Sequence, residues 1–115
     1  MSTESTIQAL LSDNDIKWFP LVAPHDEPAP FVVYQEIPSN ENLRTHDKTQ
    51  EKRNRWQLVS WAYTYDEARQ LRDRLEGLFD LNTVNFEFAS TSHGPDLPDP
   101  DSGLYRKILE VYLWE

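Results

Sequence analysis

Residues Arg55 to Tyr63 (Arg-Trp-Gln-Leu-Val-Ser-Trp-Ala-Tyr) alternate with the period of a β-strand, yet carry apolar groups on both sides. Trp56, Leu58, Ser60 and Ala62 point one way; Gln57, Val59, Trp61 and Tyr63 point the other. A strand of this kind asks for cover above and below. Leu104 to Trp114 repeats the demand, with Tyr105, Leu109, Val111 and Leu113 on one side and Leu104, Ile108, Tyr112 and Trp114 on the other. The chain offers only two helical stripes as cover. Two helices can cover one sheet face and not two, so some apolar sheet surface is expected to be left for another subunit.

The better helix runs from Thr64 to Phe79. Thr64 and Glu67 have the spacing of a capping box, and Asp66 and Glu67 sit where the helix dipole favours anions. Ala68, Leu71, Leu75, Leu78 and Phe79 follow helical spacing, and Arg69, Arg72, Asp73 and Glu76 fill the other side. The first helix carries Ile7, Leu10 and Leu11 as its stripe. Ser5 with Gln8 has capping-box spacing, Ser2 and Thr3 are alternative caps, and Ser12 to Asp15 reads as the stop. Ile16, Trp18 and Phe19 start a short extended piece limited by Pro20. Leu21 to Pro30 holds three prolines and reads as a surface connection.

Phe31 to Ile37 is a strong strand, rich in β-branched and aromatic residues. Val84 to Ala89 reads as another, with Val84, Phe86 and Phe88 on one side. Ser39 to Asn54 is a long charged loop, and Ser90 to Ser102 a long proline-rich one. The expectation is one domain over residues 1–115, of α+β class. Its elements run α-β-β-α-β-β, with a mixed or antiparallel sheet of about four strands and two main helices on one face.

Charge narrows the function classes. The chain has 11 basic and 20 acidic residues, a formal net charge of −9. That disfavours duplex DNA binding and adhesion to anionic membranes. The excess is uneven: Arg44 to Phe79 carries eight bases against six acids, while both flanking segments are strongly acidic. An acidic body with one basic segment suits contacts between copies or with a partner. Cysteine is absent, so disulfides, thiolate nucleophiles and cysteine–zinc sites are excluded. No apolar run approaches the ~20 residues of a membrane span, and Met1 to Glu4 lacks a signal pattern, so a soluble protein made inside the cell is expected.

Nothing in the residues asks for catalysis. No glycine is followed by Lys-Ser or Lys-Thr in a phosphate loop. His25, His46 and His93 are far apart and all fall in expected loops, which suits solvent-facing imidazoles better than a metal triad. Asp96, Asp99 and Asp101 lack the spacing of a calcium loop and read as part of a stiff proline turn. The expectation is no enzyme activity, no cofactor and no metal.

Four ordered stretches carry a resemblance. They are the N-terminal helix with Ile7, Ala9, Leu10 and Leu11; the proline-led strand Ala29-Pro30-Phe31-Val32-Val33-Tyr34-Gln35; the strand Arg55 to Tyr63 running on through Thr64-Tyr65-Asp66-Glu67-Ala68; and Asp101-Ser102-Gly103-Leu104-Tyr105-Arg106-Lys107, which opens a final strand ending at Trp114. Together they span nearly the whole chain and resemble the tail terminator, or tail completion, proteins of long-tailed bacteriophages. The glycine often found after the first helix in that family is replaced here by Lys17-Trp18-Phe19, and the Ser39 to Asn54 loop matches no family motif.

The resemblance implies a structural virion protein. Such proteins form a ring, commonly hexameric, that caps the head-proximal end of the tail tube, stops its polymerisation and meets the head–tail connector or stopper protein. Phage DNA passes through the lumen without specific binding. The implied location is the head–tail junction of a virion assembled in the bacterial cytoplasm. Another neck component, such as a stopper or head-completion protein, is the nearest alternative; an acidic inhibitor mimicking nucleic acid is the alternative from another class. The candidate subunit or partner interface is Arg44, Lys48, Lys52, Arg53, Arg55, Trp61, Tyr112 and Trp114. The Ser39 to Asn54 loop is expected to order on contact with tube or neighbour.

Overall fold

The computed structural model describes residues 3–24, 27–37, 53–80, 82, 88–94 and 104–114. The chain is α+β, and its order is α1 (Thr3–Asp13), β1 (Trp18–Pro20), β2 (Phe31–Ile37), β3 (Arg53–Ala62), α2 (Tyr65–Phe79), β4 (Phe88–His93) and β5 (Tyr105–Trp114). The five strands form one mixed sheet in the order β1-β2-β3-β5-β4. β1 runs parallel to β2, and the other neighbours are antiparallel.

Several expectations are corrected. Among the described residues there are five strands, and the elements run α-β-β-β-α-β-β, not about four strands in the order α-β-β-α-β-β. The added strand is the short Trp18-Phe19-Pro20 piece, which becomes a strand by pairing with Val32, Val33 and Tyr34. β3 starts at Arg53, so Arg53 and Asn54 belong to a strand and not to the charged loop; their backbones align with Trp114 and Leu113 of β5. β4 continues through Ser90, Thr91, Ser92 and His93, which the sequence assigns to a connection. A polar stretch can form an edge strand when its neighbour supplies the ladder, and here β5 does. His93 therefore lies in a strand and not in a loop. The Val84 and Phe86 positions, His25, His46, Asp96, Asp99, Asp101 and most of the two long loops lie outside the described residues. α1 already includes Thr3, so Ser5 sits within the helix and is not its cap.

The α2 boundary follows the sequence. Thr64 is the N-cap in extended conformation, and its hydroxyl accepts the Glu67 amide at 3.2 Å. Gly77 is the weak point of this helix. A methyl group there would meet no atom within 4 Å, so Gly77→Ala is expected to stabilise the fold by about 0.5–1 kcal/mol. A rise in the urea midpoint at unchanged slope checks it.

Both helices pack on one face of the sheet. Ile7 and Leu11 of α1 and Leu75 and Phe79 of α2 share one cluster with Val32, Tyr34, Trp56, Leu58, Leu109, Val111 and Leu113. Each such side chain contributes about 1.5–3 kcal/mol on burial. Rings step across three strands within this layer: Trp18 to Tyr34 at 5.8 Å between centroids and Tyr34 to Trp56 at 5.9 Å. Lys107 points into the same layer and is buried. Its ammonium donates to the Tyr65 hydroxyl at 2.8 Å and lies 4.2 Å from that ring's centre, tying β5 to the first turn of α2.

Tyr34 ties α1 to the sheet. Its hydroxyl donates to Glu4 at 2.8 Å and accepts from Gln8 at 2.6 Å. Burial pushes its pKa up, the Gln8 bond works against that rise, and the Glu4 carboxylate adds to it. The folded state thus holds the proton more tightly than the unfolded one. The resulting stability is fully present below the ordinary tyrosine value near 10 and is lost as pH rises through the folded pKa. In an absorbance titration of phenolate, one tyrosine should ionise above that value, and Tyr34→Phe should remove that step.

Candidate functional site: an open sheet face

The other sheet face has no helix over it among the described residues. The pleat and the register place its side chains in four rows across β2, β3 and β5: Phe31–Trp61–Arg106, Val33–Val59–Ile108, Gln35–Gln57–Glu110 and Ile37–Arg55–Tyr112. Two rows are chiefly apolar and two chiefly polar. The face therefore has an apolar end and a polar end.

The apolar end is built on rings. Phe19 of β1 meets Phe31 edge-on at 5.9 Å, Phe31 stacks with Trp61 at 6.2 Å, and the Arg106 guanidinium lies 5.6 Å from the Trp61 ring centre. A groove of about 680 Å³ runs from this end into the Gln35–Gln57 row, lined by Phe31, Val33, Val59, Trp61, Tyr63, Leu104 and the Leu21–Pro24 segment together with the polar Glu27, Gln35, Gln57 and Arg106. Leu21 and Val22 are 69% and 77% exposed. They sit on a three-residue turn in which the Val22 amide donates to the Pro20 carbonyl at 2.7 Å and Leu21 adopts φ 64. A branched aliphatic residue in that region stores about 1–3 kcal/mol of strain. The turn is held by the Leu21 amide, which donates to the Tyr34 carbonyl at 2.9 Å. The chain thus holds two aliphatic side chains in water at the rim of this mixed groove, beside Gln35.

The polar end is a hydrogen-bonded network. Gln35 donates to Gln57 at 2.9 Å, Arg55 bridges to Glu110 at 2.8 Å, and the Tyr112 hydroxyl donates to the other Glu110 oxygen at 3.1 Å. The Arg55 guanidinium lies 5.8 Å from the Tyr112 ring centre.

Of the eight sequence-chosen interface residues, Arg55 and Tyr112 meet at the polar end of this face, and Trp61 stands at its apolar end. Arg53 and Trp114 are backbone partners at one end of the β3–β5 ladder, with side chains outside the described set. Arg44, Lys48 and Lys52 also lie outside it. Sequence reasoning missed Phe31, Val33, Arg106 and Glu110. The alternation of Phe31, Val33 and Gln35 was the available signal for the first two, and the register, which pairs Trp61 with Arg106 and Gln57 with Glu110, was required for the others.

A second polar cluster joins α2 to β4: His93 contacts Glu76 at 2.8 Å, and Thr91 donates to Glu76 and Asp80 at 3.4 and 3.3 Å. It is largely exposed and fastens the edge strand. Among the described residues no group of three or more His, Asp or Glu side chains could hold a metal ion, and no helix is long and apolar enough to cross a membrane. No protein-family model matches this chain, and no curated protein is significantly similar to it.

Proposed function

We propose that this protein is a structural assembly subunit, without catalytic activity, that works as a tail terminator of a long-tailed bacteriophage. In this reading its copies form a ring, most simply a hexamer, on the head-proximal end of the tail tube. The ring ends tube polymerisation and meets the connector or stopper protein, and DNA passes through its lumen at the head–tail junction. The observation that carries the reading is the sheet face that no described helix covers, where Val33, Val59 and Trp61 stay half-buried and the Leu21–Val22 turn is exposed, surface that an isolated domain gains little by displaying. The ordered resemblance to tail terminators supplies the kind of assembly. A negatively charged chain also suits a channel that DNA must slide through, since acidic lining repels phosphate.

The acidic-mimic alternative wants carboxylates aligned without cations between them. On α2 the acids Asp66, Glu67, Asp73 and Glu76 are interleaved with Arg69, Arg72 and Arg74, which suits that alternative poorly.

Light scattering and negative-stain microscopy of the protein with purified tail tubes test the proposal. Rings seated on one end of each tube, with tube growth stopped, are the expected result. A protein that ignores the tube ends sinks the reading, and binding to a portal-adjacent adaptor instead assigns the stopper role. The quadruple change of Arg44, Lys48, Lys52 and Arg53 to alanine is expected to impair capping. Normal rings and normal capping would remove both the charged loop and Arg53 at the start of β3 from the interface.

A further inference from the structure

The two edges of the sheet are unlike. β1 and β4 are its outer strands. β1 has three residues and ends in Pro20, which lacks an N–H. The Lys17 carbonyl accepts the Val32 amide and the Leu21 amide donates to the Tyr34 carbonyl, so Trp18 and Pro20 turn their backbones outward by alternation. The Pro20 carbonyl is already taken by the Val22 amide at 2.7 Å. That edge offers a new strand little beyond Trp18.

β4 has six residues and contains no proline, lysine, arginine, aspartate or glutamate to blunt it. The Gly94 amide donates to the Ile108 carbonyl, and the regular register with β5 then turns the backbones of Ser92, Ser90 and Phe88 towards β5. The N–H and C=O groups of Ala89, Thr91 and His93 point away from the sheet. Among the described residues nothing bonds to them, and Ser92 and His93 are exposed.

The side chains of the same three residues lie on the α2 side, and two carboxylates overlook the edge there. Glu76 and Asp80 both reach the Thr91 hydroxyl, at 3.4 and 3.3 Å. They stand at the C-terminal end of α2, where the helix dipole disfavours negative charge, and the last turn of that helix has no base. Arg72, one turn before Glu76, bridges to Asp73 instead. Among the described residues the His93 imidazole alone pairs with Glu76, and Asp80 meets no basic side chain.

We infer that the β4 edge takes an extended segment of a partner protein as an added antiparallel strand, and that this segment carries lysine or arginine on the residues that face α2. The free backbone groups supply the ladder and the carboxylates supply the selectivity. Directly opposed residues of an antiparallel pair share a face, so the partner residue opposite Thr91 sets its side chain beside Glu76 and Asp80. A second β4 is a poor occupant. A two-fold axis at Thr91 gathers Glu76 and Asp80 of both copies around one point, which like charge opposes. The inference uses no part of the virion reading and adds a binding edge to it.

The test uses the full chain and a capped heptapeptide that alternates threonine and lysine, with threonine at both ends. Amide NMR shifts locate binding and fluorescence anisotropy of the labelled peptide gives its Kd. Shifts should centre on Ala89 to His93, and the same peptide with glutamate for lysine should not bind. Glu76→Gln together with Asp80→Asn should raise Kd by about 2- to 30-fold at low salt, with the thermal melt confirming the fold. N-methylation separates a ladder from charge attraction alone. In the antiparallel pairing the lysine amides point at β4 and the threonine amides point away. Methylating the lysine amides should weaken binding more than about tenfold, and methylating the threonine amides should leave it nearly unchanged. Equal tolerance of both sets, loss from the threonine set, or shifts centred elsewhere would overturn the inference. So would self-association of the free chain that Thr91→Pro abolishes, since that outward amide is not part of the β5 ladder and its loss would show the edge belongs to a second copy. None of these outcomes depends on tube capping, so the inference and the terminator reading fail separately.

Discussion

Replacing Phe79 with alanine is expected to remove about 3–5 kcal/mol of folding stability, a large share of what a domain of this size possesses. Phe79 is fully buried and closes the last turn of α2. It shares a single cluster with Ile7 and Leu11 of α1 and with the central strands, so its ring helps join both helices to the sheet. Dense surroundings collapse poorly around a lost ring, which places the cost in the cavity as much as in the lost transfer energy. The urea midpoint should fall with little change in slope. A loss below about 1.5 kcal/mol would mean that the end of α2 does not seal the core.

The second large effect is expected at Gly94, just past the end of β4. Its amide donates to the Ile108 carbonyl at 2.9 Å, so the two backbones are drawn together. A methyl group at Gly94 would lie 2.6 Å from Ile108 Cγ2 and 2.9 Å from its Cβ. Neither neighbour can yield cheaply, because Ile108 is buried in a strand paired on both sides. Gly94→Ala is therefore expected to cost about 1–3 kcal/mol through overpacking alone. Ile108→Ala removes Cγ2 and carries its own cost. In the double variant the two costs should fall short of additive by about 0.5–3 kcal/mol. Strict additivity in urea melts of the four chains would show that the two residues do not meet.

Where a residue's own pattern decides its fate, the fold was legible in the sequence. Thr64 with Glu67 marked the start of α2, the β-branched and aromatic composition of Phe31 to Ile37 marked β2, and the alternation in β3 and β5 identified both their existence and their two apolar sides. What escaped was decided by a neighbour. Trp18-Phe19-Pro20 is too short to announce itself and becomes a strand because β2 offers it a parallel edge. Ser90 to His93 shows no apolar period and becomes a strand because β5 lies beside it. The candidate site divides the same way. Trp61 and Tyr112 could be placed on an unspent face from alternation alone. That Arg106 lies against Trp61, and that Glu110 joins Arg55 to Tyr112, depends on a register between strands some fifty residues apart in sequence.

The strand order also bears on how the protein is made. β5 leaves the ribosome after the other four described strands, yet it stands inside the sheet, between β3 and β4. Until it emerges, β4 has no strand partner among the described residues, and β3 presents a bare edge with Trp56 and Leu58 uncovered by β5. Synthesis at about 5–20 residues per second leaves that edge open for seconds. A nascent chain halted before Tyr105 would offer a sticky half-sheet to its surroundings, which makes this domain one whose yield depends on chaperone capacity as much as on the final stability of its core.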